Sequence, residues 1–550
     1  MHLQILKRNV DQLMKVVVVG SGLSAVGTLK ALIQKGIKPV VLDVGRQLPT
    51  EKQLLKVRLS QIKPHEWSES ERNAIAENKT NRSSRKVPRK LVMGSDYFYS
   101  SDSDFKVGTA DFSETSPPFS LALGGFSAGW GAAYLPPAEC DIDDWPISRS
   151  ELLEHMRLCT ENISCSEPID DLTPYFPQLK NNAGRTLRLS NGQKRLLQTL
   201  RSGMRPYPNA LELVGQSRLM TRTVDDGSKK GCQFCGQCNS GCVYDCIYTA
   251  DLDISDMRTN ALIDYRPGLK VVTVEETNNA VKIGFLNEMT GEKRVEEADL
   301  LFLAAGAVNS TRIAMQSKGI YGHPVSLHRT GGFIQPFISA NSFATAWPDV
   351  NTQSTNFLEF KDPNISQHWI HVQISQPNEL VLSQMGMNHS NIRTIRGRGV
   401  RLVANHLVVA LLNMHSEHGP KYIVKLCPEE IDGSSRFETR QELTSDASKA
   451  ADFAHSRLKK ILSRSKMVSL GFLRQDSISA AGYHFGCTFP MRKHPKNPTD
   501  TDDLVRPFGW KNVHIVDTSV LPSIPATTVG ILSMANSHRI ASNVLENSHS

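Results

Sequence analysis

The sequence predicts an α/β fold of two lobes, a parallel sheet flanked by helices and interrupted by a second lobe built on a mostly antiparallel sheet. Three observations carry that expectation. Residues 15–19 (KVVVV) run into Gly20-Ser-Gly-Leu-Ser-Ala-Val-Gly27, then into a helical stretch closed by Gly36, then into a second strand, Ile37 to Leu42, that ends in Asp43. This strand–helix–strand unit of roughly 30 residues is the crossover that a parallel pair needs. Between about 330 and 480 the pattern changes to alternating apolar and polar runs, HWIHVQISQ and VRLVANHLVVALL, as in an antiparallel sheet. Beyond 480, strand-then-helix character returns in VHIVDTSVLP and ATTVGILSMANSHRIASNVL. At 550 residues the chain has room for two lobes. We expect 1–150, 230–330 and 480–550 to form one discontinuous dinucleotide-binding domain, and 151–229 with 331–479 to form the substrate or cap domain.

Composition narrows the class. Hydrophobic residues at 39% and charged residues at 21% suit a soluble globular chain. No stretch approaches the roughly 20 apolar residues that cross a bilayer. The opening MHLQILKRNVDQLMKVVVVG shows no secretory pattern, so the cytoplasm is the expected compartment. The net charge of +8 is dispersed, and its densest run, Lys79 to Lys90, mixes with Ser, Asn and Pro like a solvated loop. A nucleic-acid partner is not expected.

The loop at Gly20 has the context of a Rossmann-type dinucleotide site, with a strand before, a helix after and an acidic residue 23 positions on. Gly20 allows the tight turn, Gly22 lets backbone approach a pyrophosphate, and Gly27 allows close helix–strand packing. Ser24 lies inside the loop, and Ala25 stands where a third glycine is common. The pyrophosphate would sit on the helix N-terminus, and Asp43 would accept bonds from the adenosine ribose.

Cysteine is clustered. Five of ten fall in Cys232-x2-Cys235-x2-Cys238-x3-Cys242-x3-Cys246. The first four follow bacterial ferredoxin spacing, with Val243 in place of the usual proline. An iron–sulfur cluster (4Fe–4S or 3Fe–4S), a four-thiolate zinc and metal-free cysteines are the three readings. Tight spacing favours the first, with either Cys242 or Cys246 as fourth ligand.

Further segments are Gly124-Gly125-Phe-Ser127-Ala-Gly129-Trp130-Gly131, Ala304-Ala305-Gly306-Ala307, Tyr483-His484-Phe-Gly486-Cys487-Thr-Phe-Pro-Met491 and the VDTS run at Asp517. Together with the N-terminal unit they resemble the glucose–methanol–choline (GMC) flavoprotein oxidoreductases, and the whole looks most like bacterial FAD-dependent sugar and alcohol dehydrogenases, some with a cysteine-rich iron–sulfur insertion. The resemblance implies FAD, held non-covalently because Gly129 stands where covalently flavinylated relatives carry His. It implies flavin contacts at Gly124, Gly125, Ser127, Trp130, Gly131, Asp517, Ser519 and Thr528, and adenosine contacts at Val271, Ala305 and Gly306. It implies His484 as the base that removes a hydroxyl proton, a role suited to imidazole. The family's second His or Asn falls on Thr528, which cannot be a base near neutral pH. His514 and His538 read as structural. A last helix starting near Thr527 would point its N-terminus at the flavin.

The expected function is therefore an FAD-dependent dehydrogenase oxidising a CH–OH group of a sugar, polyol or other alcohol, with the cysteine-bound cluster passing electrons to an acceptor partner. Two alternatives stand beside it: an O2-using alcohol oxidase with structural cysteines or zinc, and a non-catalytic flavin-binding assembly subunit.

Overall fold

Four consecutive buried valines, Val16–Val19, form the central strand β1. β-branched residues buried on both faces suit the middle of a parallel sheet. This computed structural model describes residues 14–76, 90–99, 117–180, 185–205, 211–278, 280–387, 389, 394–428, 436–476 and 483–547. The basic run expected as a surface loop lies outside them, except for Lys90. Around β1 the sheet adds β2 (Val40–Leu42), β3 (Asp264–Arg266), β4 (Leu300–Leu303) and β5 (Val513–Ile515), in the order β5-β4-β1-β2-β3. All four pairings are parallel.

Helix α1 (Leu23–Gln34) crosses from β1 to β2 and buries Ala25, Val26, Leu29 and Leu32. It ends at Gly36, whose φ of 77° is left-handed. The Ile37 amide turns back to the Leu32 carbonyl at 3.1 Å, a Schellman closure. With that amide spent and Pro39 lacking one, the expected strand from Ile37 is shortened to Val40–Leu42. Helix α2 (Ala307–Ser317) follows β4, and α3 (Gly530–Asn547) closes the chain. The last helix begins at Gly530 and not near Thr527, because the Thr528 hydroxyl is drawn aside to accept the Leu135 amide at 3.1 Å.

The α/β class expected from sequence is the class observed, and the second sheet is antiparallel throughout. Its strands run in the order Met467–Ser469, Gly331–Ser339, Leu407–Met414, Ile370–Ser375, Asn356–Lys361, Leu211–Gln216, and Gln475–Asp476 pairs with Gly331–Ser339. One face presents Phe333, Phe337, Leu358, Val372 and Leu412 to the helices Asn191–Gly203 and Ser445–Arg464. Each such side chain, fully buried, contributes about 1.5–3 kcal/mol. The other face carries the cross-strand pair Glu359 and His371. A four-stranded and a three-stranded sheet complete the fold. Among the described residues no helix is long and apolar enough to cross a membrane.

Candidate functional site

Gly20 has φ of 101°, and a Cβ there would lie 2.5 Å from the Ala304 carbonyl oxygen. Only glycine lets the β1 end pass so near β4. Beyond it the chain opens on a cavity lined by Gly20 to Ser24, Asp43, Gly124 to Ser127, Val271, Ala304 to Asn309, Asp517, Gly530 and Ser533. The first residues of α1, α2 and α3 all belong to that wall. Each helix start leaves backbone N–H groups without intrahelical partners and a positive dipole end. Three such ends on one cavity make an anion site. A Cβ on Gly22 would meet nothing within 4 Å, so the backbone is bare towards this space.

Asp43 stands at the cavity's edge. Its Oδ2 accepts from the Ser21 hydroxyl at 2.5 Å and from the Tyr265 hydroxyl at 2.9 Å. Burial nonetheless pushes the carboxyl up to about 6. Ser24 Oγ lies 2.5 Å from Ser533 Oγ, tying the starts of α1 and α3 together. Gly27 lines nothing: a Cβ there would fall 2.1 Å from the Met534 carbonyl oxygen. The close approach that the sequence reading gave to helix and strand is between helices α1 and α3.

The glycine-rich segment forms a short 3-10 turn, Gly125–Gly129, with left-handed Gly124 before it. Ser127 Oγ donates to the Gly124 carbonyl at 2.6 Å and accepts the Ala250 amide at 2.9 Å, which anchors the turn. Gly124, Gly125 and Ser127 line the cavity, while Trp130 and Gly131 do not. The Trp130 indole N–H goes to the Tyr248 carbonyl at 2.6 Å, and its ring would clash with any Cβ on Gly530. Trp130 thus packs on the start of α3 and meets no ligand space. The Gly131 carbonyl accepts from Gln353 Nε2 at 2.8 Å.

Ala305, Gly306 and Asp517 are in the wall, but Ser519 is not. The Ser519 hydroxyl and amide both donate to Asp517 Oδ1, at 2.6 and 3.0 Å, and the Ser310 hydroxyl donates to Oδ2 at 2.5 Å. Burial raises the Asp517 carboxyl from its ordinary range despite these bonds. Thr528, 6% exposed, likewise lies outside the wall, its hydroxyl oxygen engaged by Leu135.

His484 follows the same alternation. Its neighbours Tyr483 and Phe485 line the cavity and it does not. Its carbonyl accepts the Thr330 amide at 3.2 Å, where the strand Pro324–Arg329 of the four-stranded sheet leads into Gly331–Ser339 of the antiparallel sheet. Burial, with His371 and Arg329 nearby, pushes the imidazole down to about 4, so it is neutral at ordinary pH. His371 itself is fully buried and bonded to Glu359 at 2.5 Å. Sequence reading missed this pair; its signal was a lone His in an alternating run. His514 donates to the Leu504 carbonyl at 2.8 Å and His538 meets His155 at 2.8 Å, both as packing groups.

No family model and no curated protein sequence matches the chain. Solved structures do. Pyridoxine 4-oxidase from Mesorbium loti gives a TM-score of 0.57 over 98% of this chain and 99% of its own, at 12% identity. A fungal aryl-alcohol oxidase gives 0.55 over the same shares, also at 12% identity. The chain has their fold. At that identity the likeness is one of architecture, and the chemistry rests on the side chains.

Beside the cavity in this shared fold, the five cysteines fold back on one another. Phe234, Gly236, Gly241 and Asp245 all take positive φ, between 50° and 100°. Cys242 and Cys246 sulfurs lie 3.2 Å apart. A hydrogen bond from the Cys246 thiol lowers Cys242 and brings Cys232 down to about 7. Asn351 Nδ2 donates to Cys232 at 3.5 Å and the Thr352 amide to Cys238 at 3.3 Å. Lys90, bonded to the Trp130 carbonyl at 2.9 Å, faces Cys238 and Cys242, and desolvation lowers it to about 8. These donors favour anionic sulfur at Cys232 and Cys242, whereas burial pushes the Cys235 and Cys238 thiols up, and hydrogen bonding to Cys232 and Cys242 does the same for Cys246. The cysteines show clear ligand geometry for neither an iron–sulfur cluster nor a four-thiolate zinc: zinc-bound thiolates stand about 3.8 Å apart, whereas among the described residues no three cysteine sulfurs lie within 4.8 Å of one another. Cys235 packs against the same apolar cluster, around Val243 and Tyr244, as Phe126 and Tyr483, two residues of the cavity wall.

Proposed function

We propose that the chain is an FAD-dependent oxidoreductase acting on the CH–OH group of an alcohol, sugar or polyol. The observation that carries this reading is the single cavity on which three helix N-termini and Asp43 converge. The residues fit the group: bare Gly22 and the helix starts would hold the diphosphate, and Asp43 the ribose hydroxyls. Gly124, Gly125 and Gly530 would lie along the ring system. FAD bound there supplies the hydride acceptor. His484, kept neutral by burial, takes the hydroxyl proton at an imidazole nitrogen, and Thr528 holds the Leu135 backbone.

The cysteine segment favours a dehydrogenase. An iron–sulfur cluster on four of its cysteines would supply one-electron transfer to an external acceptor, and the apolar cluster that Cys235 shares with the cavity-wall residues Phe126 and Tyr483 supports that placement. The names of the two structures that share the fold, pyridoxine 4-oxidase and aryl-alcohol oxidase, support a second reading in which O2 accepts the electrons.

Anaerobically purified protein decides between them. Iron and acid-labile sulfide with flavin bleached by an alcohol support the dehydrogenase, whereas stoichiometric peroxide without them supports the oxidase. Protein that never retains flavin sinks both. Flavin affinity should also follow Asp43. Ribose hydroxyls bond best to the ionised carboxylate, so affinity is full above about pH 6 and falls as the pH drops through that value, by up to about tenfold per unit. Fluorescence titration between pH 5 and 8 measures it, and a flat profile excludes Asp43 as the ribose partner.

A further inference from the structure

Away from the flavin cavity, two loops of the second lobe bring His368, His415 and Glu417 together. His368 lies between the strands Asn356–Lys361 and Ile370–Ser375, and His415 and Glu417 lie in the turn after Leu407–Met414. One ligand atom from each falls within 4.8 Å of the others. His368 Nε2 is 3.2 Å from Glu417 Oε2, and the two imidazoles stack at 3.7 Å.

We propose that His368, His415 and Glu417 bind a divalent first-row transition metal ion of the zinc class. Two imidazoles and a carboxylate are the donor set such ions prefer, and a fourth position is left for water. Behind His368 stands fully buried Asp141, whose Oδ1 is 3.5 Å from His368 Nδ1. At that distance the carboxylate faces Nδ1 without yet hydrogen-bonding it, and a small closure on metal binding would make it the outer partner that holds Nε2 toward the metal. Asp141 is itself held by the Ala138 amide at 3.2 Å and the Trp369 amide at 3.3 Å.

His415 supplies the second observation. The residue is 5% exposed, and its Nε2 has no hydrogen-bond partner among the described residues. A stacked imidazole pair alone leaves that nitrogen desolvated and unbonded, which is unfavourable. A metal ion engages the ring, at the expense of the 3.3 Å bond that the Glu417 amide makes to His415 Nδ1. Glu417, 63% exposed at its side chain, gives the ion a way in from solvent. Two imidazoles and the two carboxylates of Glu417 and Asp141 balance a charge of +2.

The site would also fasten the lobes. Ser416, between two of the ligands, donates its amide to the Ile524 carbonyl and accepts the Ile524 amide on its hydroxyl, both at 2.9 Å. Ile524 belongs to the segment that leads into Thr528 and α3.

The test is titration of the purified flavin-loaded protein with cobalt chloride, followed by calorimetry and absorption. One cobalt per chain with visible d–d bands and no thiolate charge-transfer band is expected, which separates this site from the cysteines. Binding should vanish in His415→Asn and in Glu417→Gln. Asp141→Asn should weaken it about 10- to 100-fold, as for other outer carboxylates. Because Glu417 is exposed, its variant keeps the fold and remains decisive if a histidine variant does not. No cobalt binding, binding only with thiolate bands, or unchanged binding in Glu417→Gln overturns the proposal.

Discussion

Valine in place of Gly22 is expected to give a folded protein that no longer retains flavin, whereas valine in place of Gly27 should give almost no folded protein. The two glycines sit five residues apart in one motif and meet opposite surroundings. At Gly22 a Cβ touches nothing within 4 Å, and φ of −72° is open to any residue. The added side chain then stands in the cavity, where it blocks a diphosphate from the N-terminus of α1. At Gly27 a Cβ would sit 2.1 Å from the Met534 carbonyl oxygen and 2.3 Å from Ser537 Oγ. Neither neighbour can yield without parting α1 from α3, both buried in the core. Overpacking of this kind costs about 1–3 kcal/mol and more for a branched side chain, against a total stability of about 5–15 kcal/mol. Flavin absorbance after gel filtration, with a thermal melt of each apoprotein, separates the effects. A Gly22→Val protein that keeps its flavin would show that this loop does not hold the diphosphate.

That contrast also marks how far the sequence could be read. The Val16–Val19 run, the left-handed turn at Gly20 and the closure at Gly36 are demands of local backbone, and local residues announce them. The partner of Gly27 is not local, since α3 lies some 500 positions away. The motif named the need for a small residue and the wrong neighbour. The edge strand Leu211–Gln216 went unread because its six residues hold Gly215 and two acid or amide side chains, and only register with Asn356–Lys361 makes them a strand. Candidate site residues divide along the same line. Gly124, Ser127, Gly306 and Asp517 reach the cavity because short turns present them there. Trp130, Gly131, Ser519 and Thr528, further along the same segments, are spent on neighbouring protein groups: the Tyr248 carbonyl, the Gln353 side chain, the Asp517 carboxylate and the Leu135 amide. The pairs Glu359 with His371 and His368 with His415 are set by strand pairing and loop contact, which no spacing in the sequence encodes.

His484 bears the second large effect. Its removal to alanine should slow flavin reduction by an alcohol about 10²- to 10⁴-fold, the usual contribution of a positioned base. Thr528→Ala should change that rate little, because the Thr528 hydroxyl holds the Leu135 amide; its loss should cost about 1 kcal/mol of stability. The difference follows from protonation. Burial holds the His484 pKa near 4, below the ordinary 6.5, so the free base is present across the neutral range. Activity should then persist as the pH falls below 6 and decline only through about 4, where the imidazole takes a proton and can no longer accept one from substrate. An exposed histidine base would lose activity two units higher. Anaerobic stopped-flow traces of flavin bleaching, recorded from pH 4 to 8 on the wild type and both variants, measure rate and profile together. A His484→Ala enzyme that reduces its flavin at the wild-type rate would remove this residue from the chemistry. Proton transfer would then have to be sought at His371, an electrostatic neighbour of His484 that is paired with buried Glu359 at 2.5 Å.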